Sequence, residues 1–317
     1  MALHIAVIDD WQGVAQSVVD WSPLASIGLV SFLRDYPADT ATLIERLARF
    51  DVICVMRERT RFDEALLLGL PNLKLLVTGG MRNAALDLAT AKRLGVAVCG
   101  TDSYKHAAPE LTWALLMALV RQIPSEAADL RNGGWQLGLG GDLHGKTLAV
   151  LGLGSIGEKV AKFGLAFGMQ VIAWSENLTQ ERADQVGVQR VSKQQLFERA
   201  DVLSVHLVLS ERSRGLVDAQ ALAWMKPSAL LINTARGPIV DETALVAALR
   251  AGRLAGAGLD VFDEEPLPLA HPFRQLPNVL ATPHIGYVSH NNYQLFYSQM
   301  IEDIQHWHAG TPLRVLG

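Results

Sequence analysis

Three side chains that can hold an anion or move a proton each stand just past an apolar, strand-like run. Arg236 follows LINTA, Glu265 lies just beyond the run that ends at Phe262, and His284 follows VLAT. In open α/β sheets, residues at the carboxyl ends of parallel strands border the crevice where ligands bind. An arginine there can clasp a carboxylate or a keto oxygen with its planar fork. A histidine can give or take a proton near neutral pH. A carboxylate hydrogen-bonded to the imidazole raises its pKa and keeps it protonated, as the reduction of a carbonyl requires. Each residue also has a bland reading. Arg236-Gly237-Pro238 can be a turn whose arginine pairs with Asp241 or Glu242. Glu265 sits in the acidic run Asp263-Glu264-Glu265, and His284 can be a hydrogen-bonded loop histidine.

The residues around TLAVLGLGSIG, Thr147 to Gly157, raise the weight of the chemical reading. Leu148–Leu151 reads as a buried strand that runs into Gly152-x-Gly154-x-x-Gly157 and then a helix, Glu158 to Gly168, with a second strand at Gln170–Trp174. Glycines at these places allow the tight turn, the approach of a pyrophosphate to the backbone, and close helix–strand packing. The helix start, with Ser155 and Ile156 in the turn, offers unpaired N–H groups and a positive dipole end to phosphates. A glycine-rich turn that only packs is the competing reading, but the flanking strands and helix favour a dinucleotide-binding βαβ unit. At the end of the second strand stand Ser175 and Glu176. An acid there binds the ribose hydroxyls of NAD, whereas an arginine accommodates the 2′-phosphate of NADP. Glu176 favours the first, Ser175 repels neither, and Arg182 is the nearest cation, so both NAD and NADP stay open. His206, at another strand end, reads as near the cofactor.

The elements that must position these groups form an α/β alternation. Before residue 101 the strands are Leu3–Ile8, about Leu29–Leu33, VICVM, LKLLV and VAV. Helices open near Asp39, Asp63 and Asp87. Apolar strands between amphipathic helices mean a parallel sheet covered on both faces, here without a phosphate loop of its own. A long apolar helix follows from Pro109-Glu110 to about Arg121, and RNGGW reads as a loop. After the glycine-rich turn the alternation resumes: Ser192-x-x-Gln195 as a capping box, then the strands VLSVHL, ALLINTA, Gly256–Phe262 and VLAT. A final helix, about Asn291 to His308, returns to the first domain. The fold expected is two doubly wound parallel-sheet domains. A Rossmann cofactor domain, 102–287, is inserted in a discontinuous flavodoxin-like substrate domain, 1–101 and 288–317.

At 317 residues, half of them hydrophobic and with net charge −4, the chain can bury two cores and shows no basic run for nucleic acid. The apolar stretch Leu111–Val120 is too short to span a bilayer, and the start lacks the pattern of a signal peptide. A soluble cytoplasmic protein is expected, with no membrane partner. Cys54 and Cys99 read as buried reduced thiols. The histidines show no metal-ligand spacing, so no metal site is expected.

GKTLAVLGLGSIG, HLVLSERSRGLVD, LLINTARGPIVDETAL, GAGLDVFDEEPLP and LPNVLATPHIG together resemble, in order and spacing, the D-isomer-specific 2-hydroxyacid dehydrogenases. The resemblance extends more weakly to 57–76 and 86–98. It implies hydride transfer between NAD(P)H and a small 2-keto or 2-hydroxy acid. It assigns Arg236 to substrate binding, Glu265 to tuning the histidine, and His284 to acid–base catalysis. It places Asp260 near the nicotinamide, and Gly79, Gly80 and Met81 in the loop whose backbone N–H groups hold the substrate carboxylate. It implies a homodimer through about 105–130. The cofactor set is then Gly152, Gly154, Ser155, Ile156, Gly157, Ser175, Glu176, His206, Thr234, Ala235 and Asp260. The substrate set is Gly79, Gly80, Met81, Arg236 and Tyr287. The chain departs from the family in three further places. Val208 replaces the proline of HxPL, Tyr287 breaks the glycine pair after the histidine, and Arg82-Asn83-Ala84-Ala85 replaces an acid-and-amide pattern. Glu265 fits the family pattern but stands where formate dehydrogenases carry glutamine, which argues against that branch. The substrate is either glyoxylate- or hydroxypyruvate-like or a bulkier 2-keto acid. The alternative is a non-catalytic NAD(H)-sensing regulator on the same fold. Another Rossmann enzyme, such as a methyltransferase, would explain the glycines but not the three strand-end residues.

Overall fold

The structure, a computed structural model, describes residues 2–34 and 39–317. The chain divides into two compact units, Met1–Tyr104 with Ser289–Gly317, and Lys105–Val288.

The first unit is built on strands β1 (Leu3–Val7), β2 (Gly28–Phe32), β3 (Val52–Val55), β4 (Leu75–Thr78) and β5 (Ala97–Gly100), in the order β2-β1-β3-β4-β5. Every pairing is parallel. β3 and β4 are buried at every position, as a sheet covered on both faces demands. Aspartates start the covering helices. Asp39, Asp63 and Asp87 accept the backbone N–H of Thr42, Leu66 and Thr90 at 2.9, 3.1 and 3.0 Å, the N-cap bond that satisfies one orphan donor of each helix.

The helix His290–His308 packs Phe296, Tyr297, Met300 and Ile304 into this unit. The chain after it lies along β5. Gly100 N–H donates to Arg314 O at 2.9 Å and Leu316 N–H to Val98 O at 2.8 Å, and Cys99 and Val315 pair antiparallel. Arg314 meets Asp303 at 3.0 Å. Burial pushes the Asp303 carboxyl up to about 6 against the pull of Arg314.

The second unit carries β6 (Thr147–Leu151), β7 (Gln170–Trp174), β8 (Gln189–Arg190), β9 (Val202–Val205), β10 (Leu230–Asn233), β11 (Gly256–Leu259) and β12 (Val279–Ala281). Their order is β12-β11-β10-β9-β6-β7-β8, so strand order reverses between β6 and β9. In such a sheet the ligand crevice opens at that reversal, outside the carboxyl ends. β8 escapes a sequence reading because its two residues are both exposed and carry no apolar pattern. The expected capping box at Ser192 and Gln195 is present in both directions.

Cys54 and Cys99 are free and buried. They lie on β3 and β5 with β4 between them, roughly 9–10 Å apart at about 4.8 Å per strand, beyond disulfide reach. Burial pushes both thiols up, Cys99 to about 11. Among the described residues no helix is long and apolar enough to cross a membrane. Among the same residues no group of three or more His, Cys, Asp or Glu could hold a metal ion.

Phe197 is fully buried in the second unit, its ring 6.3 Å from Trp224. Phe197→Ala is expected to cost about 3–5 kcal/mol, the usual range for a buried phenylalanine, read as a lower urea midpoint at unchanged slope. A wild-type midpoint would contradict this packing.

Candidate active site

The turn after β6 is shaped by close approach. Gly152 has φ +102°, and a Cβ on Gly157 would lie 2.0 Å from Gly152 O. Only a hydrogen fits between helix and strand there. The helix Ser155–Ala166 starts from Gly154 with no side-chain cap. Its first N–H groups, at the exposed Ser155 and Ile156, are therefore left for an anion. A Cβ on Gly154 would meet no atom within 4 Å, so this face is open. Uncapped donors beside an open backbone suit a pyrophosphate, and the residues present fit a dinucleotide.

Beyond β7, Ser175 is half-buried and Glu176 exposed. The cation nearest in sequence, Arg182, is engaged: its Nη2 lies 2.6 Å from Glu158 Oε2, while Lys162 Nζ holds Oε1 at 2.7 Å. The hydrogen bonds from Lys162 and then Arg182 hold the Glu158 carboxyl down at about 2. His206 follows β9. Its N–H donates to Leu151 O at 2.8 Å, and its Nε2 lies 2.8 Å from Ser204 Oγ. Burial of the ring pushes its pKa down to about 3, so it is neutral at physiological pH.

His284 and Glu265 meet. His284 Nδ1 lies 2.5 Å from Glu265 Oε2, and Glu265 Oε1 accepts Phe262 N–H at 2.9 Å. With Nδ1 committed to the carboxylate, Nε2 is the nitrogen left for a reacting partner. His284 sits at φ +52°, a left-handed conformation that costs a non-glycine residue energy unless its surroundings impose it. Asp260 imposes it. Its Oδ1 accepts Thr282 Oγ1–H at 2.6 Å and Ile285 N–H at 2.8 Å, and its Oδ2 accepts Gly286 N–H at 2.7 Å. Burial raises the Asp260 pKa, and these bonds oppose the rise. The Tyr287 ring stands edge-on to the imidazole, centroids 5.5 Å apart.

Arg236 is set by the turn after β10. Buried Asn233 accepts Ala235 N–H at 3.0 Å and donates to Arg236 O at 2.9 Å. Arg236 Nη1 donates to Ala235 O at 2.7 Å. Thr112 Oγ1 donates to Ala108 O at 2.8 Å, so in its 2.6 Å contact with Thr234 Oγ1 the Thr234 hydroxyl is the donor. Sequence reading passed over Asn233. The signal was a polar residue at the last position of an apolar strand followed by a turn.

In the first unit the loop after β4 has spent two of its expected donors. Gly79 N–H donates to Val55 O at 3.1 Å and Gly80 N–H to Thr101 Oγ1 at 2.8 Å. The N–H groups of Met81 and Arg82 have no hydrogen-bond partner among the described residues. Asn83 anchors the loop, donating to Arg57 O at 2.7 Å and Thr78 Oγ1 at 2.9 Å and accepting Ala85 N–H at 2.8 Å. Arg82, like Asn83, escaped the candidate set because it departs from the family pattern.

Residues 113–286 match the model of the D-isomer specific 2-hydroxyacid dehydrogenase, NAD binding domain. The chain belongs to that family. It is 37% identical over 258 residues to a glyoxylate reductase of Aeropyrum pernix, covering 78% of this chain and 77% of the relative. It is 36% identical over 249 residues to a D-3-phosphoglycerate dehydrogenase of Synechocystis, covering 78% of this chain but 45% of that protein. The match thus spans less than half of the latter's length. The crystal structure of a phosphoglycerate oxidoreductase from Vibrio cholerae superposes with a TM-score of 0.93 at 37% identity, covering 97% of this chain and 99% of that one. Family membership makes the chain a nicotinamide-dinucleotide-dependent oxidoreductase acting on the CH–OH group of a 2-hydroxy acid. The comparisons lend nothing to the non-catalytic sensing alternative.

The open face at Gly154 and the closed one at Gly157 separate binding from folding. Gly154→Ala should lower NADH affinity about tenfold, or ~1.4 kcal/mol, with an unchanged melting temperature. Gly157→Ala should destabilise by about 1–3 kcal/mol, as overpacking does. Fluorescence titration and thermal melts of both variants check this, and a stable Gly157→Ala protein would refute the close approach.

Proposed function

We propose that the chain reduces a 2-keto acid to its D-2-hydroxy acid with His284 as the proton donor. The observation that carries the reading is the contact between His284 Nδ1 and Glu265 Oε2 at 2.5 Å. With Nδ1 bonded to the carboxylate, Nε2 is the nitrogen left to pass a proton to the carbonyl oxygen. Arg236 offers its guanidinium to the substrate carboxylate or keto oxygen. In the first unit, the backbone N–H groups of Met81 and Arg82 are donors of the kind a carboxylate accepts. The nicotinamide, when bound, supplies the hydride. In the opposite direction His284 takes the hydroxyl proton.

Glu176 past β7, and Arg182 already engaged by Glu158, support NADH over NADPH. The Tyr287 ring beside His284 makes the bulk of the substrate side chain a matter of fit against an aromatic edge. The free buried cysteines support work in a reducing cytoplasm. Ile123, Leu130, Trp135, Leu137 and Leu139 are 51 to 95% exposed on one stretch of the second unit. Apolar groups clustered at a surface mark protein contacts, which supports a homodimer, and sedimentation checks it.

Absorbance loss at the reduced-nicotinamide band, with NADH or NADPH against glyoxylate, hydroxypyruvate, pyruvate and an aryl keto acid, tests the reading. Turnover with at least one acid and a higher kcat/KM with NADH are expected. His284→Ala and Arg236→Ala should each lose about 10²–10⁴-fold in kcat, the usual worth of a positioned acid or anion clamp, while binding NADH normally. Undiminished turnover by His284→Ala would sink the assignment.

A further inference from the structure

We propose that Glu242 is a positioning residue for the His284–Glu265 pair, its two carboxylate oxygens fixing the turn Phe262–Glu265 against the turn that carries Arg236. This rests on the acid–base reading above. Glu242 opens the helix Glu242–Arg250, behind the N-cap Asp241. Its Oε2 accepts Asp263 N–H at 3.3 Å, and its Oε1 lies 2.8 Å from His271 Nε2. The ring's other nitrogen, Nδ1, accepts Phe273 N–H at 3.2 Å. A nitrogen that accepts carries no proton, so the hydrogen-bond network assigns the proton to Nε2, where it is donated to Glu242. Both oxygens of Glu242 are therefore acceptors. A carboxylate meets that demand. An amide has one acceptor oxygen and would turn its NH₂ against one of the two donors.

What Glu242 grips matters because of its neighbours. Asp263 is bracketed by Phe262, whose N–H holds Glu265 Oε1, and by the segment leading to Glu265, whose Oε2 holds His284. On the other side, a Cβ on Gly237 would lie 2.1 Å from the Phe262 carbonyl carbon and 2.6 Å from Asp263 N. The backbone just after Arg236 thus presses directly on the backbone that leads to Glu265. Gly237 sets the spacing of the two turns, and Glu242 keeps them from sliding apart. If Asp263 N–H is released, the turn shifts and Glu265 loosens from His284 Nδ1.

Electrostatics alone predicts the opposite result. Glu242 and Asp241 crowd Asp263, with Arg214 offsetting them. Burial first, and then Glu242, pushes the Asp263 carboxyl up. Removing the charge of Glu242 would relieve that repulsion. The hydrogen-bond argument instead predicts a loss from Glu242→Gln, and a recovery when the competing donor is also removed, because the amide oxygen is then free for Asp263 N–H.

The wild type, Glu242→Gln and the double variant Glu242→Gln/His271→Phe would be compared by steady-state kinetics, NADH titration and ¹H NMR of the low-field proton between His284 Nδ1 and Glu265. For Glu242→Gln, kcat should fall about tenfold with NADH affinity within about twofold of wild type, the signature of misplaced chemistry rather than lost binding. The low-field resonance should move upfield as the short hydrogen bond to the carboxylate loosens. The double variant should regain most of both. Wild-type kinetics and an unmoved resonance in Glu242→Gln would overturn the proposal, as would a loss of NADH binding in step with kcat, which indicates damage to the fold. If the wild type reduces no keto acid, the acid–base reading falls, and the His284 resonance still decides whether Glu242 positions the pair.

Discussion

A histidine that must present one nitrogen in one direction stands here on a short segment after a three-residue strand, in a backbone conformation it would not choose alone. The constraint that holds it there is one buried carboxylate. Asp260 ends its own strand and gathers three donors from Thr282, Ile285 and Gly286, on both sides of His284. The hydrogen bonds it accepts oppose the rise in pKa that burial imposes on it. Because its donors flank the histidine, the loop cannot relax without leaving a buried carboxyl group unpaired, a costly outcome. The contact with Glu265 and the edge-on Tyr287 ring both presuppose the frame that Asp260 sets.

The other strand ends follow the same logic with different atoms. Asn233 closes the turn that presents Arg236 by bonding the backbone on both sides of it. Asn83 does so for the loop after β4. In each case a short polar side chain satisfies backbone groups that a strand leaves orphaned at its end. The exposed reactive residue beside it then inherits a fixed direction. The two turns of the second unit meet at Gly237, where the absence of a side chain lets main chain lie on main chain.

Local signals were legible in the sequence. The glycine turn between a strand and a helix, the aspartates that start helices, and the reactive residues just past apolar runs all lie within a few positions of what they specify. Boundaries shifted by a residue or two, as for the strand expected at Leu29–Leu33 and found at Gly28–Phe32. What the sequence did not disclose is pairing across distance. Nothing near Gly79 and Gly80 says that their N–H groups are spent on Val55 and Thr101, which moves the open donors to Met81 and Arg82. Arg182 read as an available cation, yet its partner, Glu158, lies on another helix. Glu242 read as a possible partner of Arg236, and its oxygens serve Asp263 and His271 instead. The chain beyond the last helix carries no strand pattern, because its backbone bonds to β5 are few and its side chains alternate weakly.

The interruption of the first unit's sequence also orders events in time. Its sheet is complete once Gly100 has been made, but the helix His290–His308 and the segment that lies along β5 come only after the whole of the second unit. On a ribosome, which releases chain from the amino end at a steady pace, the second unit can close around contiguous residues while the first still waits for Phe296 and Tyr297. The surface those rings will cover stays wet and adhesive during that interval. This is the stretch of biogenesis in which a chaperone that holds apolar faces would have the most to do, and in which a stalled or truncated chain would be most prone to aggregate.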